Sequence, residues 1–350
     1  MLPRRLRNSK PSSSSKLKSY TILRPVPGGT FDQALESLLN KLQTFFRTEA
    51  SEDRHPVFIR FFLSDAQNQA SALKKAFEAF PRPCPALSIV EQPPLDGSRI
   101  TALAITDSSP QDILFHSLRL TEEEARGLDS YRQSRLLFQK YLDIIRPLGL
   151  TLKTHCVRTW IYVRDIDTNY AGLVKARNDM FEEEGLSHLT HYIASTGIGG
   201  ATESRSEITA IDFLTYPHIL ESEKTYLKAL SHLSPTHDYG VAFERGVRLS
   251  DGHIFISGTA SIDQRGAVLY EGDVLAQARR LLDNISALLA EGGSSLEKVR
   301  YFVAYLRDIS DYPVVDAYLQ QRFPEVPRVL LEARVCRPAW LIEMECEALP

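Results

Sequence analysis

The chain has 350 residues, 43% hydrophobic and 24% charged, an ordinary globular composition that suits two or three domains with sizeable cores. Its 41 Lys and Arg against 44 Asp and Glu leave a formal net charge of −3, a field too weak to recruit nucleic acid without a local basic patch. No apolar run reaches the ~18 residues of a membrane span, and the cysteines Cys84, Cys156, Cys336 and Cys346 show no metal or redox spacing, as expected for thiols in a reducing, cytoplasmic compartment.

Residues 1–18 read as a disordered basic tail, with Arg4, Arg5, Arg7, Lys10, Lys16 and Lys18 around Ser12–Ser15 and no apolar core for a secretory signal. A first unit over 19–120 follows. Phe31, Leu35, Leu38, Leu39, Leu42 and Phe46 predict a helix over 31–47. A strand at 57–63 ends at Ser64-Asp65, a second helix covers 69–80, and strands at 86–91 and 99–105 close the unit around Pro93-Pro94 and Asp96-Gly97. The second unit, 121–235, repeats the order: helix 131–145, strand 152–163 ending at Arg164-Asp165-Ile166, helix 171–183, strands 191–195 and 207–213. The third, 236–350, starts with a strand at 253–257. Helix 274–290 follows, with Asp273 at its start and Gly292-Gly293 at its end. Strand 299–306, helix 314–322 and strands 329–335 and 340–348 complete it. "IYVRDID" at 161–167 and "AYLRDIS" at 304–310 are the clearest internal match. Helical and β-rich runs in alternation predict an α/β fold with helices on one sheet face.

Strand parity separates an aliphatic face from an aromatic one. Counted back from each turn aspartate, the aromatic face carries Phe58, Arg60 and Phe62, then Arg158, Trp160 and Tyr162, then Tyr301, Val303 and Tyr305. An arginine among rings needs an anionic partner, and two readings stay open: an internal salt bridge, or a carboxylate-binding cleft. In "LIEMECEA" Glu343, Glu345 and Glu347 share one face, the pattern of a solvated strand or of a catalytic carboxylate. Arg328 begins the preceding strand and could clamp a carboxylate. "STGIGG" at 195–200 lacks a phosphate-loop context and reads as a turn, and His155 has no second metal ligand. No cofactor motif is present, so none is expected.

The third unit resembles the Rid superfamily (YjgF, endoribonuclease L-PSP-like) through "FERG" at 243–246, "HIFISGTASID" at 253–263, the run 272–312 and "PRVLLEARVCRPAWLIEMECEAL" at 327–349. The second unit, with "CVRTWIYVRDIDTNY" and "HYIASTGIGG", is similar to the chorismatase branch, as are "SGTAS" and "VCRPAWLIEME"; the first resembles the opening unit of long, three-unit relatives. The resemblance implies three tandem chorismate-mutase-like units, each a mixed sheet with helices on one face, closed into an intramolecular pseudo-trimer barrel that is monomeric or forms a higher oligomer. It implies Glu343 as the catalytic carboxylate and Arg328, fifteen residues earlier, as the carboxylate anchor. Phe243, Ser257 and Gly258 stand beside the substrate in this reading, with Arg158, Trp160, Tyr162, Tyr301 and Tyr305 as further substrate contacts. Phe243 replaces a family tyrosine, and the chorismatases' substrate-contact stretch is not recognisable in 214–238. The partner implied is a small anionic metabolite, with no nucleic acid or membrane. Three functions stay open: hydrolysis of a carboxylate-bearing imine or enamine, chorismatase-like cleavage of a cyclic enolpyruvyl acid, and non-catalytic ligand binding. The first unit's "RITALAI" offers no acid and the second's "EITAIDF" only Glu207 and Asp212 near its ends, so a single site in the third unit is expected.

Overall fold

The structure is a computed structural model that describes residues 18–80 and 85–350; the basic tail, except Lys18, and Cys84 lie outside them. Three sheets follow one another along the chain, and all share one topology. The first has strands β1 (Lys18–Leu23), β2 (His55–Leu63), β3 (Ala86–Glu91) and β4 (Ile100–Asp107) in the order β1-β4-β2-β3. Only β2 and β3 run parallel. Helices α1 (Phe31–Ser51) and α2 (Ala66–Glu78) cover one face. Thr30 and Gln33 form a capping box at the start of α1, and Asp65 caps α2. Leu35, Leu38 and Leu42 of α1 and Leu73 of α2 bury their apolar stripe against Ile59, Phe61 and Leu63.

The second sheet takes β5 (Leu114–Leu118), β6 (Cys156–Val163), β7 (Ala194–Gly199) and β8 (Thr209–Thr215) in the order β5-β8-β6-β7. Its layer consists of the one-turn α3 (Glu122–Ala125), then α4 (Ser130–Ile145), the one-turn α5 (Leu152–His155) and α6 (Ile166–Glu183). The third sheet has β9 (Lys224–Leu227), β10 (Gly246–Leu249), β11 (Ile254–Ala260), β12 (Val299–Leu306), β13 (Arg328–Glu332) and β14 (Ile342–Ala348). Its order is β13-β12-β14-β11-β10-β9, with α7 (Val274–Glu291) and α8 (Tyr312–Arg322) as its helices. The core quartet β11-β14-β12-β13 repeats the first two sheets, with β12 and β13 again the parallel pair. Pairing draws the sheets slightly differently from the sequence units: β5 falls within 19–120 yet pairs with β8, and β9 falls within 121–235 yet pairs with β10.

Two readings change. Residues 152–155, expected as the start of a strand, form the one-turn α5, and the strand begins at Cys156. "STGIGG" lies mostly in an edge strand, β7, not in a turn. Its glycines serve close packing between units: a Cβ on Gly199 would stand 2.8 Å from the backbone of Arg334, to whose carbonyl Gly199 N–H donates at 2.8 Å. The parity assignment explains how the sheets meet. The helix-free faces carry Phe58, Phe62, Trp160, Tyr162, Tyr301 and Tyr305 into a single buried cluster that spans all three units. Among the described residues no helix is long and apolar enough to cross a membrane.

Candidate active site

The site grows from β14. This strand lies inside the third sheet, between β12 and β11, so both of its edges are paired, and every one of its residues is buried. Glu343, Glu345 and Glu347 do share one face, but it is not solvated: they are 4%, 2% and 4% exposed. Carboxylates buried this deeply require donors. Glu347 accepts from the Tyr301 hydroxyl at 2.8 Å. Glu345 accepts from Arg158 at 2.8 Å, from the Trp160 indole at 2.8 Å and from the Thr196 hydroxyl. Glu343 is different, because no described residue hydrogen-bonds its side chain, and it faces a cavity. Burial and, secondarily, the like charge of Glu345 push its carboxyl up to about 8, against the opposing pull of Arg158 and Arg245. At neutral pH it is therefore a neutral acid that can donate a proton.

The cavity encloses about 530 Å³, part of it open to solvent, and lies between the second and third units. The second unit contributes Tyr170 and Arg177 from α6 with Ser195 and Gly197 from β7. The third contributes Gly258 of β11, Glu343, the segment Tyr239–Arg245 ahead of β10, and Cys336, Arg337 and Trp340 from the loop between β13 and β14. Gly258 is required by this geometry, since a Cβ there would collide with the Glu343 carboxylate. Three guanidinium groups converge on the space. Arg177 is 1% exposed, stands 5.7 Å from the Phe243 ring centroid, and has no hydrogen-bond partner at Nε or Nη2 among the described residues. Arg245 donates to the Ser234 carbonyl at 3.0 Å and to the Tyr239 hydroxyl at 2.6 Å, leaving Nε without a partner. Arg337 lies over the rings of Tyr239 and Trp340 at 4.9 and 4.8 Å. A buried, unpaired guanidinium is costly and invites an anion. The Cys336 thiol, pushed up to about 12 by burial and by Glu343, is neutral there.

Of the residues singled out from sequence, Glu343, Phe243 and Gly258 line this cavity and the others do not. Arg158, Trp160, Tyr162, Tyr301 and Tyr305 are each 2% exposed or less and form the buried centre between the sheets. Arg158 is held by Glu345, by Thr196 at 2.5 Å and by Ser257 at 3.4 Å, so the internal salt bridge is its role in the fold. Tyr162 donates to Asp212 at 3.1 Å. Arg60 stacks on Trp160 at 4.3 Å and pairs with Asp212 at 3.4 Å. Ser257 is also internal: it donates to the Glu244 carbonyl at 2.6 Å and accepts from Ser195 N–H at 2.9 Å.

Arg328 is the largest correction. It pairs with Phe302, on the helix-covered face, whereas Glu343 pairs with Tyr305 on the opposite face. Its guanidinium therefore lies against α8, 3.6 Å from Asp316 and in contact with Gln320. Its carbonyl accepts from Arg24 of the first unit at 2.7 Å. The fifteen-residue spacing is present, yet the two side chains do not share a pocket. Arg177, Arg245, Arg337, Tyr170, Tyr239, Trp340 and Cys336 escaped the residue-level reading. For Arg177 a signal existed: it stands four residues after Leu173 and four before Phe181, on the buried stripe of its helix. Arg245, Arg337 and Trp340 sit in "FERG" and "VCRPAW", stretches noted only as resemblance.

The family model described as Endoribonuclease L-PSP matches residues 233–349, the unit that carries Glu343. The 3-aminoacrylate deaminase RutC of Acinetobacter baylyi is 32% identical over 97 residues, which are 27% of this chain and 77% of that protein. A RutC family protein of Pyrococcus abyssi is 34% identical over 97 residues, 27% of this chain and 76% of its own. The solved structure of a chorismatase covers 95% of this chain and 99% of its own with a TM-score of 0.67 at 19% identity, a likeness of fold over all three units. The molecule is thus an L-PSP-type α/β protein repeated in one polypeptide. The chain belongs to the RutC/Rid family, as a long form with chorismatase-like architecture.

Proposed function

We propose that the chain hydrolyses a cyclic enolpyruvyl ether bearing carboxylates, of the chorismate type, with Glu343 as the acid. One observation carries this reading: a neutral, buried carboxyl faces a cavity on which three guanidinium groups converge. An enol ether is electron-rich at its terminal CH2 carbon. Glu343 gives its proton to that carbon, and the resulting oxocarbenium ion takes up water at the ether carbon. The added water returns one proton to Glu343, and the hemiketal then breaks its C–O bond as its hydroxyl proton passes to the leaving oxygen, giving pyruvate and the ring alcohol. Arg177, the least committed cation, holds one carboxylate; Arg245 and Arg337 hold the other. Trp340, Tyr239 and Phe243 supply ring surfaces against which the substrate ring packs.

A second reading is favoured by the likeness to the deaminase RutC. There Glu343 would protonate the carbon of an aminoacrylate, and water would release ammonia from the iminium. Both reactions use the same proton on the same type of carbon, and they differ in how many anions the pocket must hold. The test is incubation with chorismate under coupled pyruvate detection, and separately with freshly generated aminoacrylate under ammonia detection. Pyruvate release at a rate that collapses in Glu343→Gln is the expected result. Ammonia without pyruvate selects the second reading, and neither product leaves a ligand-binding module.

A further inference from the structure

The first unit lends the pocket no wall, yet it reaches the centre of the molecule. Arg60 of β2 is fully buried, lies 4.3 Å from the Trp160 ring centroid, and places Nη1 3.9 Å from the Glu345 carboxylate. Glu345 stands two residues from Glu343 on the same strand face, about 7 Å along the strand. One carboxylate oxygen of Glu345 accepts from Trp160 at 2.8 Å, and the other takes Arg158 at 2.8 Å and the Thr196 hydroxyl. The same Thr196 oxygen accepts the Gly258 N–H at 2.9 Å. Gly258 is the residue against which the Glu343 carboxyl packs. A continuous chain thus joins a residue of each unit to the acid: Arg60, Glu345, Thr196, Gly258, Glu343.

We infer that Glu345 is a positioning residue for the pocket, and that Arg60 acts on Glu343 through it. The inference deepens the reading above and rests on it for the identity of the acid. Two effects follow from the chain. Glu345 holds Thr196, and through it the Gly258 backbone that shapes the seat of the Glu343 carboxyl. Its negative charge also keeps Glu343 in the protonated form, to an extent set by how fully Arg60 and Arg158 neutralise it. The other groups facing Glu343 are Arg245 from the segment before β10 and Cys336 and Arg337 from the loop before β14. From α6 come Tyr170 and Arg177, and from β12 comes Tyr305. Of the charged groups, Glu345 is the one that stands between Arg60 and Glu343: it lies 3.9 Å from Arg60 Nη1 and its charge acts on Glu343.

The test reads the protonation of Glu343 without activity, as the carboxylic-acid carbonyl band in infrared difference spectra between the protein and its Glu343→Gln variant across pH, and in parallel as the pH profile of turnover. Glu345→Gln removes a like charge, and the Glu343 midpoint is expected to fall by about one pH unit. Arg60→Gln leaves Glu345 less neutralised, and the midpoint is expected to rise by a similar amount; Arg60→Lys, which keeps the charge, restores it. A purely structural role for both residues would lower melting temperatures without moving the midpoint, and an unmoved midpoint in Glu345→Gln overturns the inference. Should Arg60→Gln fail to fold, the Glu345→Gln shift and the Arg60→Lys midpoint decide alone. If the band moves as expected while no enol ether or enamine is turned over, the reading of the function fails and the inference stands.

Discussion

The cleft between the second and third units and the one between the first and second occupy matching places, and their contrast shows what the site requires. Tyr305, Tyr162 and Phe62 hold the same position before the turn that ends each central strand. Opposite them stand Glu343, Ala210 and Thr101. Five residues after Asp165 and Asp65, which immediately precede α6 and α2, come Tyr170 and Ala70, each lining its own cleft. The cleft between the first and second units is larger, about 1310 Å³ against 530 Å³, and two arginines line it, Arg205, which donates to Gln67 at 3.2 Å, and Arg119. Arg119, however, is committed to Asp212 at 3.0 Å, to Ser88 and the Ile89 carbonyl at 3.2 Å, and to the Leu118 carbonyl at 2.9 Å. Repetition of the fold therefore reproduces the hollow but not the chemistry, which needs an acid without donors and a cation without partners in the same hollow.

The contrast breaks first at the acid. Glu343→Gln preserves size and removes the proton, so turnover should fall about 10²- to 10⁴-fold while ligand affinity persists, as single-turnover rates and titration calorimetry would show. An enzyme as fast as wild type would leave the two clefts chemically alike. Next comes the cation. Arg177→Gln should raise KM by about 10- to 100-fold, the loss of one charged hydrogen bond of about 1.5–3 kcal/mol, with folding intact. The matching Arg119→Gln should act on stability instead, because it strips a partner from the buried Asp212, at a cost of up to about 3–5 kcal/mol in chemical denaturation.

Acidity sharpens the comparison further. Glu343 is held neutral up to about 8, above the ordinary 4.5 that it regains on unfolding. Its contribution to stability is full below 4.5, declines as the pH rises through the window, and is lost above about 8. Activity that depends on the protonated form should vanish on the same alkaline limb. The stability of Glu343→Gln relative to wild type should rise between pH 5 and 8 by at most about 1.4 kcal/mol per pH unit, measured by urea unfolding at each pH. The smallest effect is expected from placing the acid at the matching strand position of the second unit: Ala210→Glu in a Glu343→Gln background should restore no turnover, because Arg119 and Arg205 of the neighbouring cleft already have partners. Recovered turnover there would mean that the acid alone distinguishes the clefts.

Much of this was legible in the residues themselves. Helix and strand periods set out the repeated order, and counting back from Asp65, Asp165 and Asp308 assigned the strand faces correctly, because alternation along a strand is a local property. Alternation also put Glu343, Glu345 and Glu347 on one face, and the resemblance to the Rid superfamily singled out Glu343 among them. Local pattern could not tell that this face is buried: a row of glutamates looks solvated until a neighbouring unit lays Trp160, Arg158 and Thr196 against it. Nor could spacing show that Arg328 and Glu343 part company, since that depends on which strand each pairs with and on which side it emerges.

The sequence by itself determined the repeated α/β order and the division of each central strand into an aromatic and an aliphatic face, because both rest on short-range periodicity, while the acid of the third unit was picked out by resemblance. Tertiary structure alone decided which arginines meet that acid. Arg158 and Arg60 were drawn into the buried ion cluster by Glu345 and Asp212. Arg177, on a helix of a different unit, lines the cavity with no hydrogen-bond partner at Nε or Nη2 among the described residues. A charge becomes available for binding only where packing denies it an internal counter-ion, and packing between segments over a hundred residues apart is not written in the period of either one.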